Sequence, residues 1–147
     1  MPPAPDPAPE AGMGGQTFQL VIAADPLAVR DGLARLTAAP PFASLPVNHR
    51  ATAELVLAEV LNNVAEHAYP SDGGTVSVSL RLTAAGLSCL VTDTGQPMPG
   101  GTLPKGILPR VELPEGGFGW HLIRSLTQNL HYARSGGQNR LSFLIPI

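Results

Sequence analysis

The first half of the chain alternates between strand and helix patterns. Thr17–Ala23 alternates apolar and polar residues as a strand does. Asp25 and Pro26 then combine an N-cap residue with proline at the first helical position, so we expect a helix that runs to about Ala38. The proline-rich segment that follows predicts a connector. Asn48 is placed to cap a long helix that reaches Tyr69, where proline and glycine residues end it.

The second half predicts two antiparallel hairpins separated by a loop and a helix. The strand pairs are Thr75–Leu82 with Leu87–Asp93, and Leu130–Arg134 with Arg140–Ile145. Residues 95–117 are rich in proline and glycine, which predicts a loop of about 20 residues, and such loops are often lids. Phe118–Leu130 has a helical pattern. We therefore expect an α+β, two-layer sandwich with helices on one face of a mixed, mostly antiparallel sheet of about five strands.

The composition fits one folded domain preceded by a tail. The chain has 147 residues, of which 44% are hydrophobic and 14% charged, so it can form one core. Residues 1–16 are mostly proline, alanine and glycine and predict a disordered tail. Residues 17–147 form the expected domain.

Charge and cysteine content restrict the classes of function. The net charge is -2, and the basic residues are scattered, which disfavours nucleic acid and anionic membranes as partners. The chain shows neither a signal peptide nor an apolar run near the roughly 18 residues of a membrane span. The lone Cys89 lies in an apolar run, where a buried, inert thiol is expected. These features predict a cytoplasmic protein.

The long helix separates apolar from polar residues around its axis. One face carries Leu57, Ala58, Val60, Leu61, Val64, Ala65 and Ala68, and the other carries Glu59, Asn63, Glu66 and His67. A solvated polar face is the ordinary interpretation. No Lys or Arg lies between Arg50 and Arg81, however, so this face lacks the mixed charges of most exposed helices. An acidic and amide-bearing face suits a hard cation.

Glu59 and Asn63 are one helical turn apart and project to the same side, with His67 one turn further. Mg²⁺ takes few oxygen ligands from protein and the rest from water and phosphate, so the Asn63 carbonyl is a candidate ligand beside a triphosphate. Glu59 would then be free to act as a base. His67 is a weaker candidate, because a histidine near a helix end more often caps or packs.

Two further segments have features of a nucleotide site. Asp93 ends an apolar strand and can accept a hydrogen bond from an exocyclic amine, while Gly95 lets a planar ring approach the backbone; an ordinary turn is the alternative. The glycine-rich run that includes Gly117, Phe118 and Gly119 leads into a helix, whose N-terminus is a ready site for phosphate; a plain loop is the alternative. The run matches neither a P-loop nor a dinucleotide-binding motif.

Lys105 and Arg110 are the only cations between Asp93 and Arg124. A cation of the lid could close over the anionic triphosphate through charge-assisted contacts. A solvated loop charge is the alternative.

The order of three motifs resembles a known superfamily. E-x-x-x-N-x-x-x-H-A-Y, then D-x-G-x-P, then G-G-x-G-W-x-L-I-R followed by L-x-x-x-L-x-Y-x-R-x-x-G-x-N-x-L are similar to the N, G1 and G2 boxes of the GHKL, or Bergerat-fold, ATPases. Within these, the chain resembles the bacterial anti-sigma-factor serine/threonine kinases. The resemblance covers about residues 17 to 147. Gln128, where relatives often carry Asp, and the short, proline-rich lid depart from it.

The resemblance implies a role for each matching residue. Glu59 is similar to the general base, Asn63 to the Mg²⁺ ligand, Asp93 to the residue that binds the adenine amino group, and Gly95 to the glycine beside the ring. Gly117 and Gly119 are similar to the glycines of the G2 box whose backbone contacts phosphate. Together with the candidates from spacing and charge, the predicted nucleotide-binding set is Asn63, His67, Asp93, Gly95, Lys105, Gly117, Phe118 and Gly119.

The family resemblance implies an ATP- and Mg²⁺-dependent serine/threonine protein kinase. Such a protein would form a homodimer, bind a sigma factor or analogous regulator, and phosphorylate an STAS-type antagonist. The alternative is a binding module that uses ATP only to set its affinity for a partner, without phosphotransfer. A topoisomerase- or chaperone-type ATPase fragment is a third, weaker hypothesis, because those sites belong to longer chains.

Overall fold

The computed structural model describes residues 17–69, 73–104 and 117–147. Five strands form one sheet in the order β1-β2-β3-β5-β4, and every pairing in it is antiparallel. The strands are β1 (Thr17–Ala23), β2 (Thr75–Thr83), β3 (Gly86–Asp93), β4 (Gln128–Ser135) and β5 (Gln138–Pro146). The predicted α+β fold class is confirmed.

Within the described ranges, four α-helices accompany the sheet: α1 (Pro26–Ala38), α2 (Pro40–Ala43), α3 (Val47–His67) and α4 (Gly117–Leu126). Asp25 caps α1 as predicted, since its Oδ1 accepts from the Ala28 N–H at 2.9 Å and Pro26 follows it. The predicted connector after α1 contains the short helix α2. In the described residues, none of the helices combines the length and the apolar character needed to cross a membrane.

The predicted cap of the long helix is wrong. The helix begins at Val47, and Pro46 is its N-cap without a side-chain hydrogen bond, so Asn48 lies inside the first turn. The chain enters α3 directly from α2, and Arg50 replaces the cap as the local anchor. Its guanidinium donates to the carbonyls of Ala43 at 2.8 Å and Leu45 at 3.0 Å.

The last helix is shorter than predicted. α4 ends at Leu126 instead of Leu130, and β4 begins at Gln128. Asn129, inside β4, adopts the left-handed region with φ 55°, which a helix running to Leu130 could not contain, and the β4–β5 register shifts between Gln128 and His131. Pairing with β5 therefore prevails over the helical spacing of Leu126 and Leu130.

The core lies between the helices and one face of the sheet. Alternate strand residues point toward the helices, as the two-residue period of a strand requires. In β2 and β3 these are Val76, Val78, Leu80, Leu87, Cys89 and Val91, all buried. They share the core with residues of the helices, among them Leu57, Val60 and Leu61 of α3 and Ile123 of α4. Burial raises the pKa of the Cys89 thiol, as expected for an inert core residue.

Candidate functional site

A cavity of about 400 Å³ lies between α3, the inner face of the sheet and the loop after β3. A volume of this order is typical of small-molecule sites. The helical wall consists of Val60, Asn63, Val64, His67, Ala68 and Trp120; the sheet wall of Val91, Tyr132, Asn139 and Leu141; and the loop wall of Gln96, Pro97, Met98, Pro99 and Pro104. Most of this lining is apolar, with a few polar groups placed among it.

Strand register aligns three polar residues near one end of this cavity, and of the three only Asn139 is part of its lining. Asp93 on β3 pairs with Asn139 on β5, and Asn139 pairs with Arg134 on β4. These positions continue the inward-facing series of their strands, so their side chains lie on the helical side of the sheet. Asp93 and Asn139 are both buried.

Asn139 connects these polar side chains. Its Nδ2 donates to Asp93 Oδ1 at 2.9 Å and to the Gln96 carbonyl at 2.8 Å. Its Oδ1 accepts from the Tyr132 hydroxyl at 2.6 Å and from the Arg134 guanidinium at 3.0 Å. Asp93 Oδ1 also accepts from the Gly95 N–H at 2.9 Å.

The same side chains hold the loop that follows β3. Arg134 donates to the Gly95 carbonyl at 2.7 Å, and the Met98 N–H donates to the Tyr132 hydroxyl at 3.0 Å. The Gln96 N–H donates to the Ala68 carbonyl at the end of α3, at 2.7 Å. A Cβ on Gly95 would lie 2.3 Å from that carbonyl oxygen, so close packing against α3 requires glycine here.

Tyr69 fixes the chain just beyond α3. Its hydroxyl donates to the Thr75 carbonyl at 2.8 Å and accepts from the Thr94 N–H at 2.8 Å. The residue after Asp93 is therefore tied to the segment that follows the helix. The tyrosine of the E-x-x-x-N-x-x-x-H-A-Y motif thus has a structural role that the sequence did not reveal.

Three predicted site residues meet where α3 and α4 pack together. Asn63 is only 8% exposed, and its Nδ2 has no hydrogen-bond partner in the part of the chain that the structure describes. Glu59 lies one turn earlier on α3. A Cβ on Gly119, in the first turn of α4, would lie 2.5 Å from Glu59 Oε2 and 3.9 Å from Asn63 Nδ2. The first turn of α4 therefore lies directly against both polar residues.

The remaining predicted residues are less closely associated with the cavity. His67 lines it, but its side chain is 67% exposed and lies 3.5 Å from Glu66. Gly117 begins α4, as expected of a helix N-terminus. Lys105 lies outside the described residues, as does Arg110, and the Phe118 side chain is likewise outside them.

Arg124 connects α4 to the first residues of the predicted lid. Its Nε donates to the Pro104 carbonyl at 2.8 Å, and a longer contact of 3.5 Å joins its second terminal nitrogen to the Leu103 carbonyl. Pro104 lines the cavity. Arg124 thereby holds this edge of the cavity against the helix whose N-terminus meets Glu59.

The model of one protein family, the histidine kinase-like ATPase domain, matches residues 22–145. The chain belongs to this family. The resemblance to the GHKL ATPases is therefore confirmed, and an ATPase domain implies ATP binding. No curated protein matches the chain.

Two solved structures share the fold of this histidine kinase-like ATPase domain. The crystal structure of the RsbU and RsbW domains of Rv1364c from Mycobacterium tuberculosis matches with a TM-score of 0.60 and 17% identity, over 87% of this chain and 31% of that one. The blue-light activated histidine kinase EL346 of Erythrobacter litoralis matches with a TM-score of 0.52 and 19% identity, over 80% of this chain and 39% of that one. The domain thus spans well under half the length of either.

The residues on α3 fit a magnesium nucleotide. Asn63 has a buried polar atom without a partner at the wall of the cavity, next to the Glu59 carboxylate. A half-turn of the amide exchanges its nitrogen and oxygen and presents Oδ1 in place of the unpaired donor. One amide oxygen beside a carboxylate is the kind of donor set that Mg²⁺ takes from a protein when phosphates and water supply the rest.

Sequence reasoning missed the roles of Tyr132, Arg134 and Asn139. All three are part of the Y-x-R-x-x-G-x-N pattern that follows the glycine-rich box, but the pattern alone assigns them no contact. Polar residues at inward-facing strand positions are the signal that could have found them, because a buried amide or guanidinium needs a hydrogen-bond partner.

Proposed function

We propose that this domain is an ATP-dependent serine/threonine protein kinase of the anti-sigma-factor type, with Glu59 as general base and Asn63 as Mg²⁺ ligand. The observation that carries the proposal is the meeting of Glu59, Asn63 and Gly119 at a helix N-terminus beside a cavity of nucleotide size. A carboxylate, a candidate metal ligand and free backbone N–H groups are the parts that phosphoryl transfer needs.

Each part has a distinct task in this scheme. Asp93 accepts a hydrogen bond from the adenine amino group, and the first N–H groups of α4 face the phosphates. Asn63 holds the metal, which would neutralise charge on the phosphates when bound. Glu59 takes the proton from the attacking serine or threonine hydroxyl. The hydroxyl oxygen then bonds to the γ-phosphorus as the bond from the γ-phosphorus to ADP breaks.

The proposed partners follow from the motif resemblance. The kinase would act in the cytoplasm, bind a sigma factor or analogous regulator and phosphorylate an STAS-type antagonist.

It would also form a homodimer. The outward-facing positions of the sheet support a partner there, because the half-buried Ser77 and Ser79 and the exposed Val21 lie on the face opposite the helical layer. Sedimentation of a pure monomer at micromolar concentration with Mg-ATP would contradict the dimer.

Phosphotransfer to an STAS protein tests the proposal. The full chain is incubated with labelled ATP, Mg²⁺ and candidate STAS proteins, and phosphoserine and phosphothreonine are measured. Glu59→Gln keeps the side-chain shape but removes the base, so the rate should fall about 10²- to 10⁴-fold while ATP binding survives. Glu54→Gln, an exposed change on the same helix, is the matched control and should keep the wild-type rate.

Two outcomes would contradict parts of the proposal. A Glu59→Gln protein with the wild-type rate would show that this carboxylate belongs only to a solvated helix face. Normal ATP binding by the wild-type protein without any transfer would instead identify a module that uses ATP to set its partner affinity.

A further inference from the structure

The hydrogen bonds of the Asn139 side chain fix the direction of its amide. Oδ1 accepts from the Arg134 guanidinium, which can only donate, while Nδ2 faces a carboxylate and a carbonyl, which can only accept. Turning the amide over would place its NH₂ against the guanidinium and its oxygen against Asp93. Asn139 must therefore present a donor to Asp93.

The orientation of Asn139 in turn determines how Asp93 is held. Its Oδ1 accepts from both Asn139 and the Gly95 N–H. Its second carboxylate oxygen has no hydrogen-bond donor among the described residues, so it can accept one from a ligand.

We propose that Tyr132, Arg134 and Asn139 form a positioning network that makes the site select purines with an amino group facing Asp93 over purines with a carbonyl oxygen there. This inference rests on the proposed role of Asp93 in binding the base. Tyr132 and Arg134 orient the Asn139 amide, and this amide holds Asp93 Oδ1 so that the second carboxylate oxygen is left to accept from a ligand. A carbonyl oxygen facing that carboxylate would leave two acceptors opposed.

The test is calorimetric binding of two nucleotides, ATP and inosine triphosphate, with Mg²⁺. Inosine has a carbonyl oxygen where adenosine has its amino group. Wild-type protein should prefer ATP. Asn139→Asp removes the donor that holds Asp93 Oδ1 and places a second carboxylate beside it, so Asp93 is no longer held in the orientation that accepts from the amino group. The ratio of ATP to inosine triphosphate affinity should fall at least about tenfold, the effect of one unsatisfied polar contact.

Two further variants make the result specific. Asn129→Asp makes the same charge change at an exposed position of β4 and should keep the wild-type ratio. Tyr132→Phe keeps the ring but removes the hydroxyl that donates to Asn139 and accepts from Met98, so the ratio should fall by a smaller factor. If thermal melting shows that Asn139→Asp does not fold, the ratio of ATP to inosine triphosphate affinity in Tyr132→Phe tests the network instead.

The possible failures are distinguishable. Folded variants that keep the wild-type preference for ATP would overturn the network while leaving the role of Asp93 intact. A wild-type protein without any preference would overturn both. Because only binding is measured, a failure of phosphotransfer does not affect the outcome.

Discussion

The two ends of the cavity differ in how their polar groups are satisfied. At the end near Asp93, both the oxygen and the nitrogen of the Asn139 amide are hydrogen-bonded to protein groups. This amide joins β3, β4, β5 and the loop after β3. At the end near Glu59, Asn63 is equally buried, but its Nδ2 has no hydrogen-bond partner among the residues described. A satisfied network is rigid before the ligand arrives, whereas an unpaired buried amide costs stability until a ligand satisfies it. One end is prepared by folding and the other by binding.

The largest expected effect comes from crowding the end of the cavity near Glu59. In Gly119→Ala the new Cβ would lie 2.5 Å from Glu59 Oε2, and this flexible side chain can swing away at little cost in stability. The displaced carboxylate would no longer reach the hydroxyl proton. We expect phosphotransfer to fall by up to the ~10²- to 10⁴-fold of a lost base, measured as the initial rate with labelled ATP.

A double variant shows whether Gly119 acts through Glu59. Adding Gly119→Ala to Glu59→Gln should cause little further loss of rate, since both changes remove the same function. Multiplied losses would mean that the glycine contributes independently.

A smaller effect on ATP binding is expected at the end of the cavity near Asp93. Asp93→Asn places an amide donor opposite the amino group of adenine or the Asn139 Nδ2, and either arrangement leaves a polar group unsatisfied. ATP affinity should fall by about 1–3 kcal/mol, measured by calorimetry. Asp31→Asn, an exposed change on α1, should bind ATP as the wild type does. Unchanged affinity in Asp93→Asn would remove this carboxylate from the site.

The smallest change compares the two buried asparagines directly. Asn63→Leu replaces an unpaired amide with an apolar side chain of similar shape, so the ligand-free free energy of unfolding should rise by about 1 kcal/mol. Asn139→Leu leaves Asp93, Tyr132 and Arg134 without their common partner and should lower it by at least about 1–3 kcal/mol. Urea unfolding without nucleotide measures both. Equal destabilisation by the two changes would contradict the contrast between the ends.

The sequence predicted those parts of the fold that depend on local patterns. Asp25 with Pro26 identified the start of α1, and the alternation of β2 and β3 identified the central hairpin. The Asn48 cap failed because Pro46 and the contacts of Arg50 with the preceding short helix determine where α3 begins. The local preference of Asn48 for a cap position gave no information about those contacts.

The site was predictable only in part for a similar reason. Glu59 and Asn63 are one turn apart on a single helix, so spacing alone brought them together. Asn139 and Asp93 are 46 residues apart, and Tyr132 and Met98 are 34 apart. Their contacts arise from the order and register of strands β3, β5 and β4, which no single segment specifies.

The bond between the Gln96 N–H and the Ala68 carbonyl has a thermodynamic consequence. It joins the loop after Asp93 directly to the end of the helix that carries Glu59 and Asn63, so binding at one end of the cavity can be coupled to binding at the other. Coupling of this kind is reciprocal: whatever factor a bound base applies to the affinity for Mg²⁺, the metal applies to the affinity for the base. Nucleotide and metal would then bind this domain cooperatively.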